Sequence, residues 1–258
     1  MTRERLDKAL TERKLVISRS QAESWIRLGK VTVNGKAVTK PGFFVDEKSD
    51  IRLTAEDQYV SRAGLKLASV ADIFKLDFRD KVILDVGSST GGFTDYALRH
   101  GASKVYAVDV GTDQLHPSLI GNPKIELHEK TDIRDVRSNE VAGPAARSTA
   151  SRATRASIII ESTPDLIVID VSFISLREIL PHIHDYLSDR NTQIVAMLKP
   201  QFEAGREQVN KGIIKNDAIR RQILKDFETW AHKYFVIIDK RDSGVAGAKG
   251  NQERFYLL

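Results

Sequence analysis

The chain has 258 residues, enough for one sizeable α/β domain and a small companion, and 41% are apolar, ordinary for a protein that buries a real core. With no cysteine there are no disulfides, thiolate metal ligands or cysteine nucleophiles, and no metal site is expected. No apolar run approaches the ~18 residues of a membrane helix, Met1 to Lys8 lack a signal core, and a formal net charge of +5 favours polyanions, so a cytoplasmic protein is expected.

Residues 1–56 read as a small α+β unit. Leu6, Leu10, Leu15, Ala22, Ile26 and Leu28 mark two short helices broken near Ser18, with Ser18 and Ser20 as candidate caps and Gly29 as the stop. Val31-Thr32-Val33 runs into Asn34-Gly35, the strongest short hairpin signal, and Lys40-Pro41 and Asp50-Ile51-Arg52-Leu53 close a small sheet. Arg3, Arg5, Arg13, Lys14, Arg19, Arg27 and Lys30 crowd the helical part; a solvated face is the plain alternative to a binding surface.

A linker at 57–60 leads into 61–258. There Val82–Leu84, Val105–Val108, Leu166–Ile169, Ile194–Leu198 and Phe235–Ile238 are nearly continuous apolar runs, as in strands buried on both faces of a mostly parallel sheet. Phe93–His100, Leu176–Leu187 and Asp217–Lys233 are the helical candidates between them, and Phe255–Leu258 supplies a last strand. This alternation predicts a doubly wound, Rossmann-like α/β sheet. Residues 139–162 fit neither unit. They are rich in Ala, Ser, Thr and Arg, with no acid between Glu140 and Glu161, and read as a flexible insertion whose Arg147, Arg152 and Arg155 are solvated, with RNA contact as the alternative.

Ile83 to Phe93 is a strand, a glycine-rich turn and a helix start, containing Gly87, Ser88, Thr90, Gly91, Gly92 and Phe93. The spacing is not the Gly-x-Gly-x-x-Gly of dinucleotide enzymes. Asp85 ahead of the turn is placed for a cationic ligand rather than a pyrophosphate, and the sulfonium and ammonium of S-adenosylmethionine suit it. Asp109 ends the next strand, roughly 20 residues on, where a carboxylate can accept both ribose hydroxyls. Asp132, after a strand ending near His128, is placed for an adenine amino group. An ordinary α/β loop is the alternative reading of this turn.

Asp170 and Lys199 each follow a buried strand, at the carboxyl edge where open sheets bind ligands. Glu253 opens the final strand and reaches the same edge if that strand is antiparallel. Lys66 lies in Ser61–Leu67, a predicted helix with Arg62 and Lys66 on one face. A lysine after a buried strand is usually only a cap on the sheet; beside an acid at the neighbouring strand end it becomes a catalytic candidate.

These segments resemble the TlyA family of ribosomal RNA methyltransferases, bacterial proteins historically labelled haemolysins. Arg5-Leu6-Asp7 through Ser18-Arg19, Gly29-Lys30-Val31 and Val33-Asn34-Gly35 are similar to the RNA-binding domain named after the fourth small-subunit ribosomal protein. Tyr59–Leu67, Asp85–Phe93, Ile169–Leu176, Lys199–Arg206 and Gly247–Glu253 are similar to FtsJ-type methyltransferases. The resemblance implies a Lys-Asp-Lys-Glu tetrad at Lys66, Asp170, Lys199 and Glu253, with S-adenosylmethionine as methyl donor. It also implies RNA contacts from Arg3, Arg5, Arg19, Arg27, Lys30 and Arg62. The implied partner is ribosomal RNA or a ribosomal subunit, and the target a cytidine 2′-hydroxyl. Large-subunit RNA is implied for short members, the type expected here, and small-subunit RNA as well for longer ones. In this reading Lys199 steers the hydroxyl and accepts or disperses its proton, Asp170 orients Lys199, and Lys66 and Glu253 hold the ribose. A catalytically idle RNA-binding protein and a membrane-active haemolysin are the rival readings.

Overall fold

Residues 3–16, 19–27, 29–54, 59–141, 158–247 and 250–258 are described by the computed structural model. In the N-terminal unit, β1 (Glu4–Arg5), α1 (Leu6–Glu12) and α2 (Arg19–Arg27) precede β2 (Val31–Val33), β3 (Lys36–Ala37), β4 (Phe44–Val45) and β5 (Ile51–Leu53). Leu6, Ala9, Leu10, Ala22 and Ile26 are fully buried, which accounts for the helical spacing. Asn34 and Gly35 both take positive φ, 50° and 78°, as the tight turn between β2 and β3 requires. β5 pairs with β2, closing the sheet as expected.

Three local expectations for this unit need revision or lie beyond it. Lys40-Pro41 is not a strand: Pro41 begins a turn, and the pairing on that side is β1 with β4. Ser20 lies inside α2 rather than capping it. Ser18, Leu28 and residues 57 and 58 of the 57–60 linker fall outside the described residues.

The second unit is built on a seven-stranded sheet in the order β13-β14-β12-β11-β6-β7-β8. Its strands are β6 (Val82–Val86), β7 (Lys104–Val108), β8 (Ile125–His128), β11 (Leu166–Ile169), β12 (Gln193–Leu198), β13 (Asp239–Asp242) and β14 (Arg254–Leu257). The five strands from β12 to β8 run parallel, and β14 is antiparallel to both its neighbours, β12 and β13. All four residues of β11 are completely buried, as a strand covered on both faces should be. One face packs on α3 (Arg62–Ala71) and α4 (Gly92–Arg99), and this core continues into the N-terminal unit. The other packs on α5 (Leu176–Tyr186) and α7 (Asp217–Ala231). From β6 the chain builds outward through β7 and β8, then returns to β11 on the opposite side. The sheet therefore switches direction between β6 and β11, where such folds open a ligand crevice.

The structure corrects two assignments here. Phe235–Ile238 is not a buried strand. Val236 and Ile238 are 76% and 63% exposed, Phe235 and Ile237 pack inward, and the strand is the charged Asp239–Asp242 at the sheet edge. A four-residue apolar run thus straddles the surface, one side in and one side out. Within the 139–162 stretch, residues 142–157 lie outside the described residues. Ile158–Ile160, however, forms β10, parallel to β9 (Val136–Ser138), with Ile160 fully buried. Among the described residues no helix is long and apolar enough to cross a membrane.

Candidate active site

The crevice begins at the turn after β6. Gly87 has φ +83°, and a Cβ there would lie 2.8 Å from the Asp170 carbonyl oxygen, so only glycine lets this turn meet the end of β11. Two adjoining cavities open beside it. The larger, about 420 Å³, is lined by Asp109, Val110, Asp132, Ile133 and Phe173 among others; the smaller, about 150 Å³, by Asp85, Ser88, Thr90, Phe93 and Lys199 among others. Gly87, Ser89, Asp170 and Ser172 line both.

Asp85 is fully buried; its Oδ2 accepts a 2.6 Å hydrogen bond from the Thr94 hydroxyl, while Oδ1 has no partner. Burial, helped by the nearby Asp170 charge and opposed by the Thr94 bond, pushes its pKa to about 7. The Ser88 hydroxyl in the same cavity is also buried without a partner. A buried carboxylate oxygen and a hydroxyl left unsatisfied at a cavity wall suit a ligand with cationic and hydrogen-bonding groups, as S-adenosylmethionine has. Asp109 accepts from the amides of Ser89 (2.8 Å) and Gly111 (2.6 Å), so its carboxylate is fixed at the mouth of the larger cavity. Asp132 caps the 3₁₀ turn Ile133–Asp135 and pairs with Arg134 at 2.6 Å.

The four tetrad candidates meet as two ion pairs. Lys199 Nζ lies 2.6 Å from Asp170 Oδ1, and Lys66 Nζ lies 2.6 Å from Glu253 Oε2. β14 is antiparallel to β12, so Glu253 reaches the carboxyl edge as expected. Arg62 and Lys66, one turn apart on α3, both face the segment before β14: Arg62 Nη2 donates to the Ala246 carbonyl at 2.7 Å. A Cβ on Gly247 would sit 2.6 Å from Glu253 Oε1, so a side chain there would displace this carboxylate.

Sequence reasoning missed the groups that hold these loops. Beside this ion pair, Lys199 donates a hydrogen bond of 2.7 Å to the Ser172 hydroxyl. Pro200 then opens the short helix α6 (Pro200–Glu203). Buried Glu203 at its end accepts from the Ser175 hydroxyl (2.6 Å) and the Leu176 amide (2.7 Å) at the start of α5. Burial raises the Glu203 pKa against those two bonds. Between these ties Phe173, with φ 66° and 91% exposed, lies 5.1 Å centroid to centroid from Phe202. Positive φ on a bulky residue is strained, and here the strain turns an aromatic ring out beside Ser172 at the cleft. A polar residue in a loop has no periodicity to betray it; the only signal for Ser172 and Glu203 was proximity in sequence to Asp170 and Lys199.

The RNA-contact candidates divide. Arg3, Arg27 and Lys30 are exposed. Arg5 and Arg19 both pair with Asp7, whose side chain is fully buried. Arg27 and Arg62 line a cavity of about 250 Å³ with Gly244, Val245, Ala246, Gly247 and Gly250, so charge continues from the small unit toward the tetrad.

The FtsJ-like methyltransferase family matches residues 59–258, and the S4 domain matches residues 4–51. A 23S rRNA (cytidine-2′-O)-methyltransferase TlyA of Campylobacter jejuni is 35% identical over 95% of this chain and 95% of its own length. Hemolysin A of Brachyspira hyodysenteriae is 36% identical, covering 96% of this chain and 97% of that one. A solved structure from Streptococcus thermophilus, described as a hemolysin, has a TM-score of 0.66 and 37% identity, over 100% of this chain and 88% of that one. The chain belongs to the TlyA-type FtsJ-like methyltransferases and carries an S4 domain ahead of its methyltransferase domain.

Proposed function

We propose that this chain transfers a methyl group from S-adenosylmethionine to the 2′-hydroxyl of a cytidine in large-subunit ribosomal RNA, in the cytoplasm. Residues 1–56 capture the RNA, 57–60 link, and 61–258 carry the chemistry. The observation that carries this reading is the Lys199–Asp170 pair, whose members line the smaller cavity with Asp85 while Asp170 also lines the larger one.

When bound, S-adenosylmethionine supplies an electrophilic sulfonium methyl. Asp85 Oδ1 and the Ser88 hydroxyl bind its cationic end, Asp109 its ribose hydroxyls, and Asp132 its adenine amino group. Gly87, Thr90, Gly91, Gly92 and Phe93 shape the turn around it. A ribose hydroxyl is a weak nucleophile at neutral pH, so its alignment is the main task. An ammonium has three hydrogens. In this reading Lys199 keeps one hydrogen on Ser172 and passes a proton to Asp170, which leaves a lone pair on Nζ toward the 2′-hydroxyl. Nζ takes the hydroxyl proton as the oxygen gains the methyl group, whose bond to sulfur breaks to leave a neutral thioether. Lys66 and Glu253, locked together, hold the ribose. A ribose is common to every nucleotide, so the choice of target rests on RNA contacts outside the pocket, from Arg3, Arg5, Arg19, Arg27, Lys30 and Arg62.

The test is product identity. Purified protein is incubated with methyl-labelled S-adenosylmethionine and separated ribosomal subunits, and the RNA is digested to nucleosides. Label in 2′-O-methylcytidine from the large subunit is the expected result. Label on a base, in another nucleoside, or in no RNA at all would overturn the reading.

A further inference from the structure

The N-terminal unit carries a surface that the reaction does not use. β1 and β4 are antiparallel, with Arg5 opposite Phe44 and Glu4 opposite Val45. Directly paired residues project to the same side. Val45 turns into the core, only 2% exposed, and Arg5 and Phe44 leave together on the other side. Phe44 is 59% exposed and Phe43 43%. The loop is pinned to α1, because the Leu6 amide donates to the Phe43 carbonyl (2.7 Å) and the Asp7 amide to the Pro41 carbonyl (3.2 Å).

Below this surface sits Asp7. Arg5 binds it through Nε and Nη2 at 2.9 Å each, and Arg19 through Nε at 3.1 Å and Nη2 at 2.9 Å. Burial would raise the Asp7 pKa, but the two arginines outweigh it and hold the carboxyl below its usual range. Two guanidiniums therefore share one carboxylate. Within this three-residue cluster one positive charge is left over, with Glu23 acting on Arg5 from farther off, and among the described residues no acceptor takes Nη1 of either arginine. Single exposed aromatics are common and need no explanation. Here the aromatic stands beside two arginines fixed in place before any ligand arrives.

We propose that Phe44, Arg5 and Arg19 form a docking point for an unpaired RNA base and its flanking phosphates. The base stacks on the Phe44 ring, and the phosphates take the outward guanidinium hydrogens that Asp7 holds in position. Every base has a π-face, so the contact reads an unpaired nucleotide rather than a sequence. The surplus positive charge selects RNA over an apolar protein partner. The inference rests on the ribosomal-RNA reading above and adds a subsite to it.

Stacking and charge separate by salt. Affinity of the full chain for large-subunit ribosomal RNA, and for a fully paired RNA duplex, is measured over a salt series for wild type, Phe44→Ala, Phe44→Trp and Arg5→Gln/Arg19→Gln in an Asp7→Asn background, which leaves no buried carboxylate unpaired. Phe44→Ala should weaken binding to ribosomal RNA roughly 5- to 100-fold, as loss of one stacked base does, with the slope of log affinity against log salt unchanged. Phe44→Trp should retain binding, and neither change should affect the duplex. The double arginine variant should flatten the slope, because fewer counterions are released. Phe44→Ala affinity within about twofold of wild type, or an equal loss on the duplex, removes the stacking subsite. If the arginine variant still flattens the slope, the RNA-capture reading survives that failure. If the slope is also unchanged, the capture reading of this face fails with it.

Discussion

In the cleft, two lysines meet two carboxylates, at 2.6 Å in each pair. On the N-terminal unit, two arginines share one carboxylate. The first arrangement cancels its charge and is largely buried, with only Asp170, Ser172 and the Lys199 ammonium facing the cavities. That suits work on a neutral hydroxyl, where geometry matters more than long-range attraction. The second leaves a positive charge at the surface, which suits capture of a phosphate backbone and is weakened by salt. Chemistry and capture are thus both built from cations and carboxylates, lysines in the cleft and arginines on the small unit, and the ratio of acids to bases separates them.

The largest effect expected in the cleft is on rate. Lys199→Ala should cut single-turnover methyl transfer by ~10²- to 10⁴-fold while RNA affinity is unchanged. Lys199→Arg sharpens the assignment: arginine keeps the charge but cannot release a proton at neutral pH. A normal single-turnover rate for Lys199→Arg would rule out proton acceptance by this side chain.

Stability should show the next difference. Lys66→Ala strands buried Glu253 without its cation, which costs about 3–5 kcal/mol and should appear as a large drop in the urea midpoint. Arg5→Ala leaves Asp7 still paired with Arg19, so its midpoint should move far less. Equal shifts for the two variants would break the distinction between a buried carboxylate with one cation and a buried carboxylate with two.

Cofactor affinity comes third. Asp109→Asn should weaken S-adenosylmethionine binding by about 1.5–3 kcal/mol in a calorimetric titration, as for loss of charge-assisted hydrogen bonds. Asp109→Ala should do more, since it also frees the Ser89 and Gly111 amides. Unchanged affinity in the Asn variant would remove the ribose contact.

The smallest expected effect is on pH. Asp85, with a pKa of about 7, is neutral below that value and ionised above it. A cationic ligand favours the ionised form, so S-adenosylmethionine affinity should rise from about pH 6 to about pH 8, by at most about tenfold per unit, with proton release on binding at the acid end. Asp85→Asn should flatten this profile. A profile of the same slope in that variant would assign the titration to another group.

Much of this was legible in sequence, for identifiable reasons. Strands buried on both faces announce themselves as apolar runs, and the acids and lysines at their carboxyl ends follow from sheet topology. Phe235–Ile238 misled because a short apolar run looks the same whether it is buried on two faces or one. Ile158–Ile160 was hidden behind a low-complexity stretch. Asp7 was part of a recognised motif, but that it would be buried and hold both Arg5 and Arg19 depends on packing that no spacing reveals. Ser172, Thr94 and Glu203 act through one or two hydrogen bonds to other elements, and such bonds leave no periodic trace.

The most direct test of the separation is a crossed measurement of single-turnover methyl transfer and RNA affinity in two variants, Lys199→Ala and Arg5→Gln/Arg19→Gln in an Asp7→Asn background, which removes both guanidiniums without stranding the buried carboxylate. The account predicts that Lys199→Ala binds RNA like wild type yet stays slow at every RNA concentration. It predicts that the arginine variant binds weakly but recovers the wild-type rate once RNA saturates. A wild-type rate in Lys199→Ala, or an arginine variant that saturating RNA fails to rescue, would contradict it.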